Sequence, residues 1–145
     1  MNIPPDIHAR VVALTDAILN ACEDGEEDAS ASPYAQLHAY CDSIAAAGRD
    51  HPFLWETLAD FTGDDHLAIK HYTHALMLAN AAQATNYEAS ICLALAERHS
   101  NLGDVAAAHE HALRADALAQ RTDDLPLRQA ISQFLLDHAQ AANEG

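Results

Sequence analysis

Ten histidines carry most of the reactive chemistry in this chain: His8, His38, His51, His66, His71, His74, His99, His109, His111 and His138. An imidazole can serve as a metal ligand, a general base or a charge that titrates near neutrality. His71 and His74 are three positions apart, so on a helix they share a face. With His66 or Asp65 nearby they offer the donor types of a divalent-metal site. His109 and His111 are two apart and point about 200° apart on a helix, which prevents joint chelation. No His-Glu-x-x-His, paired-cysteine or Glu-x-x-His motif occurs. Cys22, Cys41 and Cys92 match no zinc or redox spacing, and Cys41 and Cys92 read as small core residues. The five glycines are scattered, so there is no phosphate-cradling loop, and no nucleophile elbow presents a serine. The expectation is a non-enzyme without catalytic residues, metal or cofactor. Its histidines are expected at the surface, where acidic neighbours raise their pKa values and make charge responsive near about pH 6–7.

Charge narrows the partners. Twenty-two acidic residues face seven basic ones, for a net charge of -15. Such a surface repels phosphate backbones and anionic lipid heads, which argues against nucleic acid and membrane. The same field speeds encounter with a basic protein. Residues Met1 to Asp6 show no basic segment leading into an apolar one, and no apolar run approaches the ~20 residues that cross a bilayer. The expected location is the cytoplasm.

The elements that must position these residues are helices. The 145 residues suit one domain, 1–145; half are hydrophobic, with alanine dominant, while Gly and Pro number five each. Seven helices are expected. The first runs from about Asp6 to Cys22, with Ile7, Val11, Leu14, Ile18 and Leu19 on one face, and ends in an acidic loop, Glu23 to Ala31. The second starts at Ser32-Pro33, places Leu37, Tyr40, Cys41 and Ile44 inward, and stops at Gly48. The third opens at Asp50-His51-Pro52 and ends at Gly63; its apolar content is Phe53, Leu54, Trp55, Leu58 and Phe61. The fourth, capped by Asp64, points Leu67, Ala68, Tyr72, Ala75, Leu76 and Ala79 inward. The fifth begins with a capping box, Thr85 with Glu88, and ends at Gly103. The sixth starts at Asp104 and carries Val105, Ala108, Ala112, Leu113, Ala115 and Leu118. The seventh follows Asp123-Asp124, with Leu127, Ile131, Phe134 and Leu135 on one face and a fraying tail from Ala139.

These helices repeat. Gly63-Asp64 and Gly103-Asp104 lie 40 positions apart, and each joins two helices. Ala68, Tyr72 and Ala75 follow the first pair as Ala108, Ala112 and Ala115 follow the second. Before the pairs come Trp55-x-x-Leu58-Ala59 and Cys92-x-x-Leu95-Ala96, at a shift of 37, so the first unit is three residues shorter there. The pattern resembles the tetratricopeptide repeat, most closely from Leu95 to Ala108. The resemblance implies an all-α solenoid of antiparallel helix pairs: an N-terminal pair (6–48), two repeats (50–82 and 85–121) and a capping helix (123–141). Ala112 stands where that family usually carries an aromatic.

The resemblance also implies a concave face lined by Phe53, Glu56 and Asp60 from the first repeat and Ser90, Leu93, Glu97, Ser100 and Asn101 from the second. Family members that clamp a peptide carboxylate use Lys, Arg and Asn there. Glu56, Asp60 and Glu97 would instead repel a carboxylate and welcome Lys or Arg. The chain also resembles, more weakly, the small acidic immunity proteins that accompany bacterial polymorphic toxins, on Pro52 to Thr62 followed by Ala68-Ile69-x-x-Tyr72. That implies a cytoplasmic antitoxin for a basic secreted toxin. The alternative is an adaptor or secretion chaperone holding an extended segment through Phe53 and Leu93. An exposed Ala-rich terminal helix would also support a homodimer.

Overall fold

The computed structural model describes residues 2–24 and 32–144. Among these residues the chain is all-α, with seven helices and no strand: α1 (Pro5–Asp24), α2 (Pro33–Ala46), α3 (Pro52–Asp60), α4 (Asp65–Ala81), α5 (Thr85–Asn101), α6 (Val105–Ala119) and α7 (Leu125–Glu144). Each helix packs on its sequence neighbours, as in a helical-repeat solenoid, and α3 also touches α5. The acidic segment 25–31 lies outside the described residues; Glu23 and Asp24 belong to the last turn of α1. α7 runs on to Glu144, past Ala139.

Local chemistry explains the helix starts. Ser32, Asp64, Asp104 and Asp124 each accept a hydrogen bond from a backbone N–H two or three residues ahead, satisfying a donor the helix leaves free. Helix ends follow a second rule. α2 and α5 stop at Gly48 and Gly103, with φ of +76° and +78°. There the N–H groups of Arg49 and Asp104 return to the carbonyls of Ile44 and His99, a Schellman closure. α4 closes the same way around Gln83, with φ of +54° and Ala84 N–H bonded to Ala79 O at 2.9 Å.

That closure corrects the capping box. Pulled back onto α4, Ala84 becomes the residue before α5 and offers no side-chain cap, while Thr85 is already helical and Glu88 is buried. The third helix stops before Gly63, whose φ is not positive. α3 ends at Asp60, and the Thr62 hydroxyl donates to Leu58 O at 2.8 Å. That hydroxyl has one proton, so Tyr34 of α2 must donate to Thr62 Oγ1 across their 2.8 Å contact.

The core has two parts that meet on α5. The first gathers Ile7, Val11, Leu14, Ile18, Leu37, Cys41, Leu54, Trp55, Leu58, Ala68, Tyr72, Ala75 and Ile91. The second joins Cys92, Leu93, Ala96, Ala108, Ala112 and Ala115 to Ile131 and Phe134 of α7. All six matched alanine and tyrosine positions of the two units are buried, as are both Trp/Cys-x-x-Leu-Ala sets. Ala112 lets α6 lie close on α5, and Ile131 and Phe134 supply bulk beside it. Leu19 and Leu67, read on apolar inward faces, are 53% and 37% exposed, and Val105 and Leu113 of α6 are 45% and 50% exposed. On α6 the seam is Ala108, Ala112, Ala115 and Ala119, so Leu113, about 100° beyond Ala112, turns away.

Candidate protein-binding face

α3 and α5 lie side by side and bring three carboxyl groups together. Glu56 Oε2 accepts from Ser90 Oγ at 2.7 Å, tying the two helices directly. Asp60, one turn further along α3, accepts a hydrogen bond from the Tyr72 hydroxyl of α4. Glu97 of α5 feels the charge of Asp60, as Glu56 does. Asp60 and Glu97 remain open to solvent as residues, yet protein atoms crowd all three carboxyls and favour the protonated forms. Burial pushes Glu56 up to about 7, against the Ser90 hydrogen bond and with a smaller push from Asp60. Burial also raises Asp60, opposed by the Tyr72 hydrogen bond and Arg98, and raises Glu97, with Asp60 adding to it and Arg98 opposing.

Arg98 offsets this face only in part, because its hydrogen bonds go elsewhere. Its Nη1 donates to Asp65 Oδ1 at 3.1 Å and its Nη2 to Ala59 O at 3.2 Å. Asn101 joins that group by donating to Asp65 Oδ1 at 3.2 Å, which places it at the α4 edge, away from Glu56. Phe53 is half-buried against the first core, with its ring stacked on His8 of α1 at 5.8 Å. Leu93 is 8% exposed and packs in the second core. Ser90, Glu56, Asp60 and Glu97 thus come together, while Phe53, Leu93 and Asn101 are each engaged elsewhere.

Ser100 makes a contact the sequence did not suggest. It shares a 3.0 Å hydrogen bond with His138 Nε2 of α7, and His138 Nδ1 lies 2.7 Å from Phe134 O. The carbonyl can only accept, so Nδ1 carries the proton and the Ser100 hydroxyl donates to Nε2. This resembles half of a nucleophile–base pair. It sits in the last turn of α5, however, where exposed carbonyl dipoles oppose an oxyanion rather than hold one.

The histidines depart most from expectation. His51 and His71 are buried, at 3% and 7% exposure, not at the surface. His71 and His74 do not converge: Trp55 packs against both, at ring-centroid distances of 5.8 and 4.6 Å. His74 pairs with Asp50 at 3.1 Å, while His71 faces His38 of α2. Among the described residues no three His, Cys, Asp or Glu side chains are gathered as a metal ion requires. Burial lowers the pKa of His51, His71 and His111, against the upward shift expected from acidic neighbours. Two signals in the sequence marked the buried pair. His51 precedes Pro52 as Ser32 precedes Pro33, the slot of an N-cap before a helix-opening proline. His71 is three after Ala68 and four before Ala75, on the alanine stripe of α4.

Compared with protein-family models, with curated proteins and with solved structures, the chain matches none. Among the described residues no helix is long and apolar enough to cross a membrane.

Proposed function

We propose that this chain is a non-catalytic protein-binding module of tetratricopeptide-like build, acting in the cytoplasm as an immunity protein that neutralises a basic secreted toxin. The observation that carries this reading is the convergence of Glu56, Asp60 and Glu97 across α3 and α5, beside an Arg98 already held by Asp65 and Ala59. A Lys or Arg entering there meets Asp60 and Glu97 together beside the Glu56 carboxyl, so it gains from two charges at once rather than the ~0.2–1 kcal/mol of a single exposed pair. The net charge of -15 guides a cationic domain toward the face from a distance. An adaptor or secretion chaperone is the weaker reading. Leu93, which would line its apolar groove, is sealed into the second core, and Phe53 is stacked on His8.

The test is affinity capture from the source cells with the wild-type chain and with Glu97→Lys, which reverses a solvent-open charge. The expected catch is a folded basic protein, encoded beside this chain, whose affinity falls at least tenfold on reversal and weakens with added salt. A partner held equally well by both chains would remove the acidic face from the mechanism.

A further inference from the structure

Two histidines occupy places that suit only an uncharged imidazole. His51 caps α3: its Nδ1 accepts from the Phe53 N–H at 3.1 Å. Accepting requires a free lone pair on Nδ1, so the ring's one proton sits on Nε2. A second proton would have to go onto Nδ1, placing a donor against the Phe53 donor and leaving the first turn of α3 uncapped. His71 is the other case. Its Nε2 is buried without a hydrogen-bond partner, and its ring meets His38 of α2 edge-on at 5.3 Å and Trp55 of α3 at 5.8 Å. A buried polar nitrogen without a partner is already costly, and charging the ring costs more, because burial outweighs the attraction of Asp42.

We propose that His51 and His71 form an acid-sensitive clasp: α3, and with it the α1–α2 pair, stays docked only while both rings are neutral. The clasp acts whether or not a partner occupies the acidic face.

The surrounding charges do not cancel the effect. Facing His71 are His38 and Asp42 from α2, with Lys70 and His74 from α4 itself. Asp42 favours a charged ring; His38, Lys70 and His74 oppose it, and burial opposes it most. A backbone hydrogen bond with Asn2 and the charge of Asp50 favour a charged His51, and burial outweighs them. Tyr87 of α5 lies edge-on to His51 at 5.5 Å. Both folded pKa values therefore fall below the ordinary value of about 6.5. The unfolded chain then binds more protons than the folded one in that range. The stability is fully present above the unfolded pKa and is lost as pH drops through it toward the folded value. Asp50 also pairs with His74 and accepts from the Trp55 ring N–H, but neither contact caps α3.

Acid loosens this end rather than all seven described helices. His111, whose pKa burial also lowers, is only half-buried, on the α6 face toward His99, so its charge retains access to water.

The test compares the wild-type chain with a His51→Asn, His71→Leu double variant by amide hydrogen exchange at pH 7.5 and pH 5.5, corrected for intrinsic rates. Asn keeps a capping acceptor that does not titrate, and Leu fills the His71 site without a proton to gain. Other titrating groups, including the carboxyls of Glu56, Asp60 and Glu97, contribute alike to both proteins. The difference in their response reports the two rings. On acidification the α2 and α3 amides of the wild type should lose about tenfold or more protection relative to the same amides of the double variant, one pKa unit being a factor of ten. The α5 and α6 amides should change equally in both proteins. Should the double variant not fold, His51→Asn alone should retain a smaller but resolved part of the difference in α3. An equal pH response of α3 in wild type and variants overturns the clasp, and so does an equal differential loss in α5 and α6.

Discussion

Glu56 is the side chain whose surroundings shape the chemistry of the acidic face. Its carboxyl is buried between α3 and α5, with one hydroxyl donor and a like charge nearby, so it holds a proton up to about pH 7. In the unfolded chain the same group ionises at its ordinary value, near 4.3. Its folded pKa is raised, so its favourable contribution is complete below the unfolded value and is lost as pH rises through the folded one. Glu56→Gln, which keeps an acceptor for Ser90, should therefore stabilise the chain by about 1–2 kcal/mol at pH 8 and leave it nearly unchanged at pH 4.5. Urea unfolding at the two pH values measures this, and equal effects at both would show that Glu56 ionises freely in the fold. The acid types at positions 56, 60 and 97 were legible in the sequence through the repeat register. Their raised pKa values were not, because burial depends on the approach of α5 to α3, which no local pattern encodes.

At the level of elements, what could be read depended on how local the cause was. Ser32 and Asp64 were legible as caps, and Asp104 as a helix start, because the bond closes within three residues. Thr85 was not a cap, because the α4 Schellman closure competes for the same residues and places Ala84 before α5. The alanine stripe of α6 was legible, but which of its large residues turn outward was not: Val105 and Leu113 are exposed because the close α5–α6 approach admits only alanines in the seam. That approach yields the prediction for this scale. Ala112 is fully buried in the seam, with Phe134 and Ile131 already filling the space beside it. Ala112→Leu should destabilise the chain by about 1–3 kcal/mol through overpacking, whereas Leu113→Ala, at a site 50% exposed, should change stability by no more than about 0.5 kcal/mol. Denaturant midpoints separate the two, and a harmless Ala112→Leu would mean that α5 and α6 do not pack through this seam.

For the whole molecule the governing quantity is the charge of -15, set by composition alone. It acts on two equilibria with opposite signs. Within the chain most acids see other acids, so the compact state is under self-repulsion that salt relieves. Between this chain and a basic partner the same charge is attractive, and salt weakens it. The screening length falls from about 30 Å at 0.01 M to about 8 Å at 0.15 M ionic strength. Over that range charges farther apart than about 8 Å largely cease to act on one another, while contacts such as Glu56 with Ser90 are untouched. The thermal midpoint of the isolated chain should therefore rise with salt while its affinity for a basic partner falls. A hydrophobic partner surface would give the reverse for binding, since salts that strengthen burial would tighten it. Measuring melting and binding across one salt series therefore identifies the attraction. A midpoint and an affinity that rise together would show that the partner reads an apolar surface and not the acidic face of α3 and α5.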